Sequence, residues 1–448
     1  MFGGAVPLRP GACGQGRCAI GTNTVTPQGH FLRRHADVDT TTGASVGRRI
    51  AVPIAASFDG GSLVSLDETP RAVRTSADTV VVVDSDPLLV PGDLDDAGLF
   101  ALALALGEDG EERYWQLVTE LHRRGTAAVF ELASSALNSG DPVGRAVAAD
   151  VLGQLGFEEG YPYRDRSVPI LVERVLDDEV SVIGCAIAAL GHLGDAMGLP
   201  AVVGAASHAE GVVRFEVAVA LPSLLGVGPV DPSTPGVAAL ISLMCDDDPD
   251  VRDWATFGLG TQVATDSAEV RDALADRLAD ADEDVRREAL VGLARRRDRR
   301  AVNTAMHVLA DDDADGYALS GAIEAAALAR SAALLPALRR RDGQPAVDAA
   351  VLSSALRRCD PHERQAECDV LTELVRHIER VAPRARVVIS SEVLPVGDGG
   401  VQIACNAGRR ELAYQLDGLL GRAGSVAAAI DILVADGALQ ADLEEPGG

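Results

Sequence analysis

Lysine is missing from this chain: all 40 basic residues are arginine. A GC-rich genome accounts for such a bias, but the chemical consequence holds whatever its origin. Schiff-base and pyridoxal enzymes, Walker-type phosphate loops and protein-kinase sites all normally use a lysine amine, and none has its residue here. Aromatic residues are scarce at 3%, too few for a typical β-sandwich core. The seven cysteines, at 13, 18, 185, 245, 359, 368 and 405, form no CxxC pair. An odd, scattered set reads as reduced thiols of a cytoplasmic protein. Cys185, between Gly184 and Ala186, reads as small core filling. No charged segment followed by an apolar one marks a secretory signal. No run approaches the roughly 18 apolar residues of a spanning helix.

What is present is alanine, valine and leucine, within a hydrophobic fraction of 47%. Small side chains let helices approach closely, and Ala, Leu and charged residues favour helix. The net charge is −27, and residues 1–92 contribute nothing to it, with eight Arg against eight Asp and Glu. The excess therefore lies on residues 93–448. A nucleic-acid binder usually carries a basic stripe. The longest basic runs here, 295–300 and 339–341, fall at expected helix ends, where cations suit the dipole. Nucleic acid is not an expected partner.

A turn recurs along the middle of the chain. It is clearest at Asp248-Pro-Asp-Val-Arg252 and Asp282-Glu-Asp-Val-Arg286, each followed by a small-residue helix. The valine slot falls at Gly144, Val182, Val213, Val251 and Val285, at intervals of 38, 31, 38 and 34 residues. Such a period means one supersecondary unit stacked on copies of itself. First helices are expected at 127–137, 168–176, 199–206, 237–244, 270–278, 301–309 and 332–339. Second helices are expected at 142–155, 180–193, 211–225, 249–260, 283–295, 315–329 and 345–358. The fold class is therefore all-α, an α-solenoid of about seven helix pairs over residues 111–359.

Residues 1–78 lack helical periodicity and read as a disordered tail, as do 441–448. Residues 79–110 read as an N-terminal cap segment, in which Val80–Val83 is a short strand. Beyond Cys359 the pattern changes. A helix is expected from Asp360-Pro361 to about Val381, then a hairpin around 395–400, then helices at 409–421 and 425–435. Residues 360–440 read as a small α+β cap or accessory domain.

The repeats resemble the HEAT family, in particular its bacterial branch first noticed in phycobilisome lyases. That family places a proline in the first helix, an aspartate eight residues on and an arginine six beyond that. Pro169 and Asp177 keep the first interval; Asp246/Arg252 and Asp280/Arg286 keep the second. Pro200 and Arg214 keep the whole spacing around His208, where the aspartate belongs. The resemblance covers about residues 110–358. It implies a stack in which turn aspartates and helix-opening arginines of adjacent repeats form a ladder of charge-assisted hydrogen bonds. Asp246, Arg252, Asp280 and Arg286 are read as that structural ladder.

Other constellations read as structure. Asp311, Asp313, Asp315 and Gly316 match half of a calcium-binding loop, but its twelfth position is Ala322, so helix capping is the simpler role. HEAT-like di-iron enzymes use four His-Glu dipeptides, whereas this chain has only His362-Glu363, outside the array. Trp254 reads as packing between repeats. No cofactor, metal or catalytic residue is expected. The functional expectation is a non-catalytic scaffold that binds a protein with a basic contact surface through its second helices. Glu216, Asp253 and Glu288 are the candidate contacts. The alternative, implied by the resemblance, is a lyase-like or maturation protein attaching a prosthetic group to a partner.

Overall fold

A computed structural model describes residues 71–75, 79–83, 94–107, 111–382, 386–390, 402–407 and 410–439. The chain divides into two compact units, with the boundary between Ala289 and Leu290. The first unit opens with strand β1 (Arg71–Thr75), antiparallel to β2 (Thr79–Val83), with Val73 opposite Val81. The β-branched run at 79–83 thus finds its partner inside the segment expected to be tail, and residues 71–75 correct that expectation. The rest of the expected tail, with residues 441–448, lies outside the described residues.

Helices follow: α1 (Asp96–Leu106), α2 (Glu111–Arg124), α3 (Ala127–Leu137), α4 (Pro142–Gln154), α5 (Arg164–Arg174), α6 (Val180–Leu193), α7 (Leu199–Gly204) and α8 (Gly211–Leu225). Then come α9 (Pro235–Leu243), α10 (Pro249–Phe257), α11 (Ala268–Asp276) and α12 (Glu283–Arg295), in which the unit boundary falls. Their starts follow from local chemistry. The Thr126 hydroxyl accepts from the Val129 N–H, the Asp141 carboxylate from Val143 and Gly144, and the Ser267 hydroxyl from Val270. Proline fills a first-turn position of α4, α9 and α10, where its missing N–H costs nothing.

Small residues set the spacing between successive second helices. A Cβ on Gly153 of α4 would lie 2.8 Å from the Ala189 Cα of α6, and one on Gly191 of α6 would lie 2.8 Å from the Ala220 Cβ of α8. The fully buried Val147, Val151, Ile187, Leu190, Val217 and Leu221 fill the layer behind these contacts. This packing is the physical use of an alanine-rich composition. Helix α10 departs from expectation: it stops at Phe257 and widens into a π-helical turn, Gly258–Gln262, in which Val263 N–H donates to the Gly258 carbonyl at 2.9 Å. Gly258 lies against Pro222 of α8, with no space for a Cβ (2.8 Å to Cγ).

The second unit contains α13 (Arg299–Ala310), α14 (Gly316–Ala329), α15 (Leu335–Arg340), α16 (Ala349–Cys359) and α17 (Pro361–Val381). It continues through β3 (Arg386–Ser390), β4 (Gln402–Ala407), β5 (Arg410–Gln415), α18 (Leu416–Ala423) and α19 (Val426–Ala435). Asp348 caps α16, which moves its start from the expected 345 to Ala349. The three strands form an antiparallel sheet in the order β3-β4-β5, with Val387 opposite Cys405 and Cys405 opposite Leu412. Residues 410–415 were expected to begin a helix. They form instead the third strand, which completes the ladder for β4, since a lone hairpin is marginally stable. Leu374 and Ile378 of α17, Leu416 and Leu419 of α18, and Ile430 and Leu433 of α19 form one buried cluster. The expected hairpin tip at 395–400 lies outside the described residues.

Candidate functional site

The arginine that opens a second helix reaches forward to the turn of the next repeat. Arg145 of α4 donates from Nε to Asp177 Oδ2 at 2.9 Å and from Nη2 to Oδ1 at 2.8 Å. Arg214 of α8 grips Asp246 in the same way, at 2.6 and 2.8 Å, and Arg252 of α10 grips Asp280 at 3.1 and 2.9 Å. The remaining nitrogen turns back to the arginine's own turn. Arg214 Nη1 donates to the carbonyls of His208 and Ala209, both at 2.9 Å, and Arg252 Nη1 to those of Asp246 and Asp247, at 2.9 and 3.1 Å. Each aspartate also accepts from the backbone N–H two residues on, of Glu179, Asp248 and Asp282. Every rung thus joins two repeats and closes two turns.

These carboxylates are nearly buried, with side-chain exposures of 3%, 8% and 5% for Asp177, Asp246 and Asp280. The Arg214 bond is the main reason Asp246 titrates below the ordinary aspartate value. For Asp177 and Asp280 burial opposes ionisation, but the arginine and the backbone N–H outweigh it and hold both low. Arg286 behaves differently from its expected role: its Nη1 donates to the carbonyls of Asp280 and Ala281, at 2.8 and 2.9 Å, closing its own turn. Asp246 is held by Arg214 rather than by Arg252. The sequence reading missed Arg145–Asp177, although Arg145 directly follows the Gly144 slot.

One rung has neither member. The position after Val182 is Ile183, buried at 5%, and the next turn carries His208 in place of aspartate. His208 keeps part of the turn's work, its Nδ1 accepting from the Glu210 N–H at 3.2 Å.

The proposed contact residues need correction. Glu216 and Asp253 are buried, at 8% and 6%, and Glu288 is half-buried. The Glu216 Cγ lies over Gly184 of α6, 3.7 Å from where a Cβ would stand. The exposed acids lie instead at the turns, beside the ladder: Asp178, whose side chain is 92% exposed, with Glu179, Glu210, Asp247, Asp250 and Glu283. Leu176, 88% exposed, stands among them next to Asp177. The signal for this edge was in the sequence, because the turns at 177–179, 246–250 and 280–284 each carry several carboxylates.

The remaining candidates have local roles. Trp254 of α10 meets Phe215 of α8 edge-on, with ring centroids 6.1 Å apart, and packs between repeats. Asp315 caps α14 by accepting from the Ala318 N–H at 2.8 Å, while Asp311 and Asp313 are exposed. Buried His122 of α2 bonds the Asp150 carbonyl at 2.9 Å, and Tyr114 donates to the Asp150 carboxylate at 2.6 Å. No helix among the described residues is long and apolar enough to cross a membrane.

The family model for HEAT repeats matches residues 237–327, which contain the Arg252–Asp280 rung. Residues 237–327 carry HEAT repeats. A stretch of 102 residues, 23% of the chain, is 35% identical to Protein YibA of Escherichia coli (strain K12) and covers 35% of that protein. The chain thus spans about a third of the length of the curated relatives it matches. The solved YibA structure aligns with 59% of this chain and 96% of its own, at 23% identity and a TM-score of 0.45. The complex of CpcE and CpcF of phycocyanin lyase from Nostoc sp. PCC7120 aligns with 61% of this chain and 96% of that chain, at 19% identity and a TM-score of 0.32. In HEAT-repeat terms, the ladder is the inter-repeat joint of this chain.

Proposed function

We propose that this HEAT-repeat chain is a non-catalytic interaction module, with seven helix pairs over residues 111–359 and an accessory α+β domain at 360–440. Its partner is a protein with an arginine- or lysine-rich contact patch. The observation that carries this reading is the acidic turn edge of the first unit. The forked bonds of the ladder arginines go to Asp177, Asp246 and Asp280, and the same turns expose further acids, Asp178, Glu179, Glu210, Asp247 and Glu283, with Leu176 as an apolar contact among them. A field of one sign at a net charge of −27 draws a basic partner and raises its association rate.

The test is an affinity capture from the native cell at low and moderate salt, followed by association kinetics on the captured partner. Charge reversal at Glu179, Glu210 and Asp247 should slow association at low salt and leave the melting temperature unchanged. Screening shortens the reach of these charges to a Debye length of about 8 Å at physiological ionic strength, so the mutant and parent should converge as salt rises. Equal association rates at every salt concentration would reject the acidic edge as the contact. Turnover of a small substrate by the purified chain would reject the non-catalytic reading.

A further inference from the structure

Two positions flank each rung: the residue two before the arginine and the residue just before the aspartate. At the Arg145–Asp177 rung these are Val143 and Leu176, both exposed. At the Arg214–Asp246 rung they are Val212 and Cys245, again both exposed. The junction between these two rungs, where Ile183 and His208 stand, has half-buried Ser181 and exposed Ser207 at the same positions. The Arg252–Asp280 rung has Asp250 and Ala279 there. A single apolar residue on a surface is ordinary, but apolar pairs repeated in register beside two rungs make a patterned contact surface.

Charge and spacing define what fits this pattern. Arg145 is engaged by Asp177, Asp178 and the Ser139 carbonyl, and Arg214 by Asp246 and the carbonyls of His208 and Ala209. Both guanidinium charges are thus compensated and do not repel a cationic chain. Asp178, Glu179, Glu210 and Asp247 stand exposed in the same turns. The second helices α4, α6 and α8 pack closely through Gly153 on Ala189 and Gly191 on Ala220. Packed helices lie about 8–10 Å apart, so two steps separate the apolar pairs by about 16–20 Å. An extended chain rises about 3.3 Å per residue and turns alternate side chains to one face, so residues six apart span about 20 Å on the same face.

Taking the acidic edge as the contact of the proposed function, we propose that its ligand is an extended segment of a basic protein, with two large apolar residues six apart and arginine or lysine between them. One apolar residue sits on Val143 and Leu176, the other on Val212 and Cys245. The small side chains of Ser181 and Ser207 let the chain pass over the junction between. The intervening cations meet Asp178, Glu179, Glu210 and Asp247. A row of single turns suits one extended strand of chain, and its acidic rim selects a basic one.

The test uses the full chain and synthetic arginine–serine peptides of equal charge, with no leucine or with two leucines three, six or eleven residues apart. The last spacing serves a helical ligand, since eleven residues of helix also span about 16 Å. Fluorescence anisotropy at low salt reads affinity, and protection of Cys245 from iodoacetamide, followed by mass spectrometry, reads location. The six-residue spacing should bind about tenfold more tightly than the leucine-free peptide and should slow alkylation of Cys245. Leu176→Ser and Val212→Ser should each remove most of that gain, leave the leucine-free peptide within about twofold, and melt close to the parent. Salt-dependent binding that ignores the leucines would overturn this ligand and leave the acidic edge standing as the contact. Tighter binding at three or eleven residues, no binding of the six-residue peptide, or unprotected Cys245 in its complex would overturn it as well. The acidic edge itself fails separately, on equal association rates of the charge-reversed and parent chains.

Discussion

Arg252→Ala tests whether the ladder is a structural joint. Arg252 makes four hydrogen bonds, two to Asp280 and two to carbonyls of its own turn, and the pair is largely desolvated, with side-chain exposures of 14% and 5%. Breaking a fully buried pair from one side costs about 3–5 kcal/mol, because it leaves an uncompensated charge. A solvent-exposed pair contributes about 0–1 kcal/mol. Asp280 is not left alone in the variant: Arg277 Nη1 remains at 3.2 Å and the Asp282 N–H at 3.0 Å. The expected loss therefore falls between the limits, at about 2–3 kcal/mol. Asp280→Ala should cost about 2 kcal/mol, and the double variant should reveal a coupling of about 1–2 kcal/mol. Trp254, on the same helix two residues on, supplies a local probe. Urea unfolding followed by its fluorescence, in a Trp115→Phe background, reads this part of the chain. A loss below about 0.5 kcal/mol for Arg252→Ala, or additive single variants, would refute the joint.

Three further outcomes follow from the same packing. Burial holds His122 at about 4 against an ordinary 6.5, with a lesser push from His192, so the folded chain keeps it neutral. The resulting stability is complete above pH 6.5 and is lost as pH falls toward 4. By pH 5 the linked loss is about 2 kcal/mol, and His122→Gln should show that much less acid destabilisation between pH 7 and 5 in urea melts. Gly191→Leu should cost about 1–3 kcal/mol through overpacking against Ala220, read as a lower melting temperature with unchanged helical signal. Of the four cysteines at 185, 245, 359 and 368, Cys245, exposed, should be alkylated first in the native chain, whereas Cys359, buried and pushed up to about 11, should react only on unfolding.

Much of the helical layout was legible because its signals are local. The starts of α4, α6, α8 and α12 fall at Pro142, Val180, Gly211 and Glu283, as the period and the acidic turns imply. Misreadings arose where a neighbour decides the outcome. Arg410–Gln415 carries residues that suit a helix, yet β4 needs a second strand beside it. Helix α10 gives way to a π turn where Gly258 meets Pro222, a contact between residues 36 positions apart. Glu216 and Asp253 look solvent-seeking by residue type, and only the neighbouring helix shows them buried. The composition of the turns, by contrast, already contained the exposed acidic edge.

The absent rung explains why such repeats disclose their fold more readily than their work. An arginine at position 183 would face a turn with no aspartate at the ladder position, and an aspartate at 208 would lack its guanidinium. Either alone would leave a charge poorly compensated near a desolvated joint. Ile183 and His208 are consistent because both partners are missing together. The junction between α6 and α8 is instead joined by the Gly191–Ala220 approach and by the Glu216 stem over Gly184. An Ile183→Arg, His208→Asp pair should therefore be less damaging than the sum of its single changes. A unit whose joints can be exchanged in this way is defined by inward-facing residues, which recur with the period. A partner meets the residues the period does not dictate: the surplus carboxylates at the turns beside the rungs.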